Sequence, residues 1–140
     1  MRPFLPSDFD QVHAYSSDPE VVKFMQWGPN TEEQTRQFME TCFANQKAEP
    51  RLTYDFAVVM ADTADFVGSV TLRIVKKDSL IGDIGYCYSR QAWGKGYASE
   101  AAEAVIRFGF EHLGLQKVGA TCDPFNFGSA KVLQKAGMKL

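Results

Sequence analysis

The sequence predicts a mixed α/β fold in which helices lie on both sides of a central sheet. The apolar pattern changes period along the chain: segments with apolar residues at helical spacing come first, and three β-branched, aromatic runs follow. Beyond these runs, a glycine-containing loop leads into a long helical pattern, one more strand and a final helix. Because strands and helices intermingle and 140 residues is the length of one domain, we expect residues 1–140 to form a single domain.

A short strand and a first helix are predicted at the N-terminus. The apolar stub at residues 2–5 indicates the strand. Ser7 is the expected N-cap of the helix, which ends near Tyr15. Asp8 and Asp10 then fall in its first turn, where their negative charge suits the positive end of the helix dipole.

Two further helices precede the strand-like runs. Asp18 and Pro19 open a short one, since proline is favoured at the first helical position. Thr31 and Gln34 have the spacing of a capping box at the start of a longer one, which carries an apolar stripe and ends before Pro50.

The three strand-like runs are residues 52–60, 66–75 and 80–89, and the polar turn between the first two predicts a hairpin. The third run contains Gly82 and Gly85. Glycine inside a strand weakens it and often marks a bulge or a place where another backbone or a ligand approaches closely. We therefore expect one of these features on the third strand.

The remainder of the chain is predicted to form a helix, a strand and a helix. The long helix runs to about Leu113 and is closed by Gly114. A strand follows at residues 117–123, and the last helix is capped by Asn126 and closed by Gly137.

Composition excludes several classes of protein. The net charge of −2 and the lack of a Lys/Arg run argue against nucleic-acid binding. The three cysteines lack C-x-x-C spacing and the two histidines lie far from them, which argues against a disulfide framework and a metal site. No apolar run is long enough to span a bilayer and the N-terminus lacks a signal-peptide core, so we expect a cytoplasmic protein without membrane contact.

Gly94 and Gly96 lie one residue apart between the third strand and the long helix. Glycines permit backbone conformations that turn successive N–H groups toward one point, and the first N–H groups of a helix lack internal partners. Together these features favour a phosphate site. The glycines on their own are equally explained by a turn that joins two elements.

Two common phosphate loops do not fit this stretch. The pattern G-x-x-x-x-G-K-[ST] is absent, and a dinucleotide fingerprint would need glycine where Ser99 stands. The pattern Q/R-x-x-G-x-G/A fits without mismatch at Gln91, Gly94 and Gly96. That pattern is the pyrophosphate loop of the GNAT N-acetyltransferases.

The similarity to the GNAT family extends over almost the whole chain. The sequence resembles the branch that contains the ribosomal-protein N-terminal alanine and serine acetyltransferases. The resemblance runs from the opening MRPF, through DPEVVKFMQWGPNTEEQTRQFM, to residues 82–139, where N-x-x-S-x-x-V-x-x-K-x-G-M follows the loop in order.

The resemblance implies that acetyl-CoA lies in a cleft where two parallel strands, residues 84–88 and 118–123, splay apart. An extended cofactor arm would pair with the first of these strands as an added strand does. The backbone contacts implied there are Tyr86, Cys87 and Tyr88. The pyrophosphate contacts implied are Gln91, Trp93, Gly94, Lys95, Gly96, Tyr97 and Ala98. Lys95 is equally explained as a solvated loop residue.

Three polar residues each have a functional and a purely structural explanation. Asn126 would contact the cofactor arm as well as cap its helix, or only cap it. Ser129 would face the thioester and protonate the departing thiolate, or bond to its own helix backbone. Asp83 matches an acidic position of the branch and would act as the base for the amine, directly or through water, or is a surface carboxylate.

Two aromatic side chains and two cysteines complete the candidates. Trp27 and Phe125 lie in loops that the resemblance places near the acceptor entrance, where they would bind the acceptor; the alternative is that they cover the core. Cys87 and Cys122 are expected as small core residues, because direct acetyl transfer requires no thiol.

The resemblance implies transfer of an acetyl group from acetyl-CoA to a primary amine, either a protein N-terminus or a small molecule, by direct attack on the thioester. The alternative is a non-catalytic acyl-CoA binding or sensing module on the same scaffold. Domains of this family normally add two strands after the last helix, which this sequence lacks. We expect either a shortened form or a partner, such as a second copy in a homodimer, that covers the unpaired sheet edge.

Overall fold

The computed structural model describes residues 1–139, in which five strands form one sheet in the order β1-β2-β3-β4-β5. The strands are β1 (Arg2–Pro3), β2 (Thr53–Val59), β3 (Phe66–Lys76), β4 (Ile81–Tyr88) and β5 (Lys117–Ala120). The α-helices are α1 (Phe9–Ser16), α2 (Pro19–Val22), α3 (Glu32–Lys47), α4 (Tyr97–Glu111) and α5 (Phe127–Lys135). Two short 3-10 turns, Pro6–Asp8 and Arg90–Ala92, precede α1 and α4.

The sheet is mixed. Strands β1 to β4 pair antiparallel with their neighbours, and β5 pairs parallel to β4. A parallel pair needs a long crossover connection, and α4 supplies it. The predicted mixed α/β class is therefore confirmed.

Alternate side chains of the strands build two apolar clusters on opposite faces of the sheet. One cluster joins the sheet to α4 through buried side chains: Val70, Leu72, Ile84, Ala102 and Val105. The other joins the sheet to the helices α1 to α3: Val12, Val22, Met39, Ala57 and Cys87. Helices thus cover both faces, as expected, and we refer to them as the α4 face and the α3 face.

Local capping signals placed three helix starts correctly. The Thr31 hydroxyl accepts from the Gln34 N–H (3.2 Å), and the Gln34 side chain accepts in return from the Thr31 N–H (2.9 Å). Asp18 caps α2 and Asn126 caps α5 through their side chains. These caps are confirmed because each satisfies an N–H group that its helix leaves free.

Two other predicted boundaries extend too far. Helix α4 ends at Glu111, before the predicted Leu113, and Gly114 follows in the left-handed conformation with φ of 66°. Strand β5 ends at Ala120 rather than at residue 123, because Asp123 already belongs to the turn before α5 and accepts from the Phe125 N–H (2.8 Å). No helix among residues 1–139 is long and apolar enough to cross a membrane.

The predicted N-cap at Ser7 is wrong, because Ser7 lies inside the 3-10 turn Pro6–Asp8 and α1 begins only at Phe9. Asp8 is only 4% exposed. Arg2 donates two hydrogen bonds to its carboxylate, each 2.8 Å long, and the Leu5 N–H donates a third at 2.8 Å. Asp10 does lie in the first turn of α1, as expected. A contact between the first strand and the start of α1 therefore replaces the predicted cap.

We expect Asp8→Asn to lower the free energy of unfolding by about 1–2 kcal/mol at pH 7, in the lower part of the range for charged hydrogen bonds because the Arg2 side chain is 32% exposed. Burial alone would raise the pKa of Asp8, but the bonds from Arg2 and Leu5 and the guanidinium charge hold that pKa below its ordinary value. The carboxylate therefore stabilises the fold fully above the pKa of about 3.9 that it has in the unfolded chain. This stabilisation is lost as the pH falls through the lower pKa of Asp8 in the folded protein.

Urea unfolding at a series of pH values measures this effect. The deficit of Asp8→Asn should begin to shrink below about pH 4, where the carboxyl of the unfolded wild type takes up a proton, and should disappear below the lower pKa of the folded protein. Asp10→Asn, which changes an exposed aspartate two residues further along the chain, is the matched control and should change stability by less than about 0.5 kcal/mol. Equal deficits in the two variants would contradict the assignment of the Asp8 contribution to its ion pair.

Candidate functional site

A gap opens between β4 and β5 at the carboxyl end of β5. The parallel pairing joins Ile81 to Lys117 and ends with Ile84 opposite Ala120. Strand β4 continues for four more residues, 85–88, which pair with β3 on their other side. Within residues 1–139, this part of β4 therefore has no strand partner on one edge, as the resemblance implies for a cofactor cleft.

The backbone of Tyr86 faces this gap. The Ser89 N–H donates to the Val67 carbonyl of β3 (3.1 Å), and the antiparallel ladder alternates from there. The N–H and C=O groups of Cys87 therefore turn toward β3, whereas those of Tyr86 and Tyr88 turn away from it. The Tyr88 carbonyl already accepts from the Trp93 indole N–H (3.0 Å). Of the three predicted backbone contacts, Tyr86 is the one with both groups directed at the gap.

The loop between β4 and α4 has the geometry of an anion site. Gly94 and Gly96 both adopt positive φ, 72° and 84°, a conformation that L side chains rarely adopt. Gly96 is the N-cap of α4, and the first helical bond runs from the Glu100 N–H to its carbonyl. The N–H groups of residues 97–99 thus precede the helical hydrogen-bond ladder at the positive end of a 15-residue helix. A phosphate or pyrophosphate fits this arrangement.

The other predicted loop residues surround this helix end. Gln91 lies in the 3-10 turn, and Trp93 and Lys95 are exposed, Trp93 by 50%. Tyr97 and Ala98 begin α4 and are half-buried. The hydrogen bond from the Trp93 indole N–H to the Tyr88 carbonyl holds the loop against the end of β4. The structure therefore brings the loop and the unpaired edge of β4 together, although they were identified from separate signals.

Ser129 and Tyr86 meet across the gap on the α4 face. Asn126 caps α5 by accepting from the Ser129 N–H (3.0 Å), which fixes the first turn of that helix. The Ser129 hydroxyl lies 2.8 Å from the Tyr86 hydroxyl, and the Tyr86 hydroxyl also donates to the Ser129 carbonyl (3.2 Å). The predicted sites Ser129 and Tyr86 are thus brought into direct contact, which the sequence analysis did not foresee.

Asp83 lies on the opposite face, one residue before the gap. Its carboxylate accepts two bonds from Arg73 of β3, from Nε at 2.9 Å and from Nη2 at 3.1 Å. The pair is partly exposed, with 33% of the Asp83 side chain and 47% of the Arg73 side chain accessible. Each carboxylate oxygen keeps a second lone pair for a water or an amine.

Arg73 is the site residue that the sequence analysis missed. Strands β3 and β4 place it opposite Asp83, and two residues further on they place Thr71 opposite Gly85. A Cβ at Gly85 would stand 3.4 Å from Arg73 Nη2, so the glycine leaves the α3 face open beside the gap. The period-two alternation of β3 indicated which residues share a face, but not which residue of β4 each one would oppose.

A buried carboxylate lies next to this pair on the same face. Asp55 of β2 is 4% exposed and accepts from Thr71 Oγ1 (2.8 Å) and from Asn45 Nδ2 of α3 (2.9 Å). Its register partner on β3 is Thr71. The α3 face thus carries a row of polar side chains across three strands, with α3 above it.

The remaining candidates have mixed outcomes. Trp27, between α2 and α3, is 43% exposed, and Phe125, before α5, is 73% exposed. Cys87 is a buried core residue, as expected, and burial raises the pKa of its thiol to about 12. The prediction that Cys122 is a core residue is wrong: β5 ends two residues earlier, so Cys122 lies in an exposed loop.

Known proteins are similar to this chain in sequence and in architecture. The family model described as "Acetyltransferase (GNAT) domain" matches residues 1–139. The uncharacterized N-acetyltransferase YnaD of Bacillus subtilis is 31% identical over 139 residues, which cover 99% of this chain and 78% of that protein. The crystal structure of a GNAT-family acetyltransferase from Bacillus anthracis is similar with a TM-score of 0.85 at 33% identity, covering 99% of this chain and 78% of that one.

The fold of the ribosomal-protein branch is similar as well. The crystal structure of the ribosomal-protein-S5-alanine acetyltransferase from Vibrio fischeri matches with a TM-score of 0.80, covering 97% of this chain and 76% of that one. At 24% identity this likeness concerns the fold alone. From the loop, the sheet gap and these relatives together, the chain belongs to the GNAT family of acetyl-CoA-dependent N-acetyltransferases.

Proposed function

We propose that this chain, acting as one domain in the cytoplasm, transfers the acetyl group of acetyl-CoA to a primary amine by direct attack of the amine on the thioester. The observation that carries the proposal is the gap beyond Ile84 and Ala120. Asp83 borders it on the α3 face, and Ser129 borders it on the α4 face. A thioester held in the gap would therefore have a base on one side and a proton donor on the other.

Two parts of the chain would hold acetyl-CoA. The loop around Gly94 and Gly96, with the first N–H groups of α4, would bind the pyrophosphate. The outward carbonyl of Tyr86 would accept from an amide of the extended arm, as an added strand pairs with a sheet edge. Asn126, which caps α5, would contact this arm, and Lys95 would add charge at the rim of the loop.

Acetyl-CoA supplies the activated acyl group, and the chain supplies a base, a donor and alignment. The attacking amine must be neutral, and Asp83 would remove its proton directly or through water, with the carboxylate on the α3 face supporting this role. The outward N–H of Tyr86 would polarise the thioester carbonyl. Direct attack needs no enzyme nucleophile, which agrees with a Cys87 thiol that is buried and held protonated.

The α3 face supports a cationic acceptor. Asp83 lies on it with 33% of its side chain exposed, and the exposed Glu32 and Glu33 begin the helix that covers it, although these two also suit the helix dipole. Trp27 and Phe125 offer exposed aromatic surface for the apolar part of an amine. A protein N-terminus and a small amine both have this chemistry.

The test is release of free CoA, measured with a thiol reagent, from acetyl-CoA mixed with the purified chain and an amine. Peptides with N-terminal serine or alanine, spermidine and free amino acids cover the acceptor classes, and mass spectrometry identifies the acetylated product. Acetyl-CoA binding by calorimetry without amine-dependent release would favour the non-catalytic binding module instead. Absence of both would refute the proposal.

A further inference from the structure

We propose that the phenol of Tyr86 positions the hydroxyl of Ser129 as the proton donor to the departing thiolate, so that the two side chains act as one hydrogen-bonded chain. The inference rests on the function proposed above. Tyr86 stands on β4 and Ser129 in the first turn of α5, 43 residues apart. Their hydroxyl oxygens are 2.8 Å apart, a normal O–H···O distance.

The phenol has one proton and two acceptors within reach. When Tyr86 donates to the Ser129 carbonyl (3.2 Å), the serine hydroxyl is left to donate back to the phenol oxygen. When Tyr86 donates to Ser129 Oγ, the serine proton is free to point into the gap. A rotation of the two O–H groups exchanges these states without moving a heavy atom. A negative sulfur in the gap would select the second state.

Both side chains lie where a ligand in the gap can reach them. Tyr86 and Ser129 are half-buried, whereas the next tyrosine on the same face, Tyr88, is buried and its hydroxyl has no hydrogen-bond partner among residues 1–139. The Tyr86 hydroxyl, in contrast, is hydrogen-bonded to Ser129, which borders the gap.

The proton transfers balance without any further reactant. The amine nitrogen forms a bond to the carbonyl carbon, and the carbon–sulfur bond breaks with its electron pair on sulfur. Ser129 gives its hydroxyl proton to that sulfur, and Tyr86 gives its proton to the serine oxygen. The proton that the amine releases passes to Asp83 or water and returns through solvent to Tyr86. The products are the N-acetylated amine and CoA with a free thiol.

The environment of Tyr86 keeps its proton available. Burial raises the pKa of the phenol above its ordinary value, the bond to Ser129 acts in the opposite direction, and the nearby Cys122 thiol raises it further. With the net shift upward, Tyr86 is protonated at neutral pH and can serve as a donor.

The kinetic test compares Tyr86→Phe, Ser129→Ala and the double variant, with the amine that gives most product in the screen above. We expect Ser129→Ala to lower kcat about 100-fold and Tyr86→Phe about tenfold, with the KM for acetyl-CoA unchanged in both. If Tyr86 acts through Ser129, the double variant is no slower than Ser129→Ala alone. Tyr54→Phe is the matched control: it removes a hydroxyl from the same sheet face, where the Tyr54 ring packs on Phe108 of α4, and it should keep full activity.

A binding test does not depend on turnover. Calorimetry compares CoA with desulfo-CoA, which lacks the sulfur. We expect the wild type to prefer CoA, and both Tyr86→Phe and Ser129→Ala to lose most of this preference while they bind desulfo-CoA as the wild type does. If no amine is acetylated by the wild type, the proposed function fails and the donor role fails with it, whereas this comparison still shows separately whether the Tyr86–Ser129 pair contacts the sulfur.

Three results would overturn the inference. The first is full kcat in Tyr86→Phe when Ser129→Ala is slow. The second is a double variant in which the two losses multiply, since that assigns independent roles. The third is a Tyr86→Phe variant that keeps the wild-type preference for CoA, since the hydroxyl then has no part in the contact with sulfur.

Discussion

Gly96→Asp should weaken acetyl-CoA binding by at least about 100-fold, which is about 2.7 kcal/mol in binding free energy. The substitution places a carboxylate at the N-cap of α4, where the pyrophosphate would sit, so that like charges meet at the anion site. A Cβ at Gly96 meets no protein atom within 4 Å, so the protein itself leaves room for the side chain. Titration calorimetry measures the loss.

Gly114→Asp is the matched control for this variant. Gly114 lies beyond the C-terminal end of α4 and is exposed. Its φ of 66° is close to the 84° of Gly96, and a Cβ added at either glycine would have no atom within 4 Å among the described residues. Both variants carry the strain of a left-handed aspartate, and the helix dipole disfavours the one at the C-terminal end. Gly114→Asp should therefore be the less stable of the two and still bind acetyl-CoA normally.

A third variant separates strain from charge at the loop. Gly96→Ala has the backbone strain without the carboxylate, and we expect it to bind acetyl-CoA more tightly than Gly96→Asp does. Equal affinities in Gly96→Asp and the wild type would remove the pyrophosphate from this loop. Equal losses in Gly96→Ala and Gly96→Asp would show that backbone conformation, rather than charge, controls binding.

Asp83→Asn should lower kcat by about 100-fold or more while the affinity for acetyl-CoA stays close to that of the wild type. The amide cannot take a proton from the amine, and Asp83 precedes the gap on the face opposite to Ser129. The Arg73–Asp83 pair is too exposed to contribute more than about 1 kcal/mol to stability, so the variant should fold normally. Steady-state kinetics with calorimetry on the same samples makes the measurement.

Two companion variants separate the base from its ion pair. Asp83→Glu keeps a carboxylate, so its kcat should stay within about tenfold of the wild type, compared with the loss of about 100-fold expected for Asp83→Asn. Arg73→Met keeps Asp83 but frees it from the guanidinium, and its kcat should fall much less than that of Asp83→Asn. Full activity in Asp83→Asn, or an equal loss in Arg73→Met, would exclude Asp83 as the base.

The parts of the fold that follow from local chemistry could be predicted from the sequence. The capping pair Thr31 and Gln34 and the cap Asn126 are confirmed because their partners lie within three residues. The loop at Gly94 and Gly96 was recognisable because its conformation depends on residue type. The predicted cap at Ser7 was wrong because the residues around Ser7 form a 3-10 turn. In that turn Asp8 pairs with Arg2 of the first strand, a contact that local capping signals do not reveal.

The side-chain pairs of the site could not be predicted, because they join distant parts of the chain. Arg73 meets Asp83 only in the register that β3 and β4 adopt, and a slip of one residue would turn one of them to the other face. Tyr86 meets Ser129 only because α5 returns over the α4 face. The exposure of Cys122 likewise depends on where β5 ends, which its apolar pattern overestimates.

The separation of the two faces has a consequence for how acceptor preference can diverge. The helices that cover the α3 face lie within residues 9–47, whereas the gap, the loop and α5 lie within residues 81–135. On the function proposed above, the helices within residues 9–47 would form only part of the acceptor side, because Asp83 and Phe125 belong to the second stretch and the Arg90–Asp18 ion pair (2.7 Å) joins the two stretches. Sequence change within residues 9–47 is therefore expected to alter the choice of amine while the proposed base and the cofactor site stay intact.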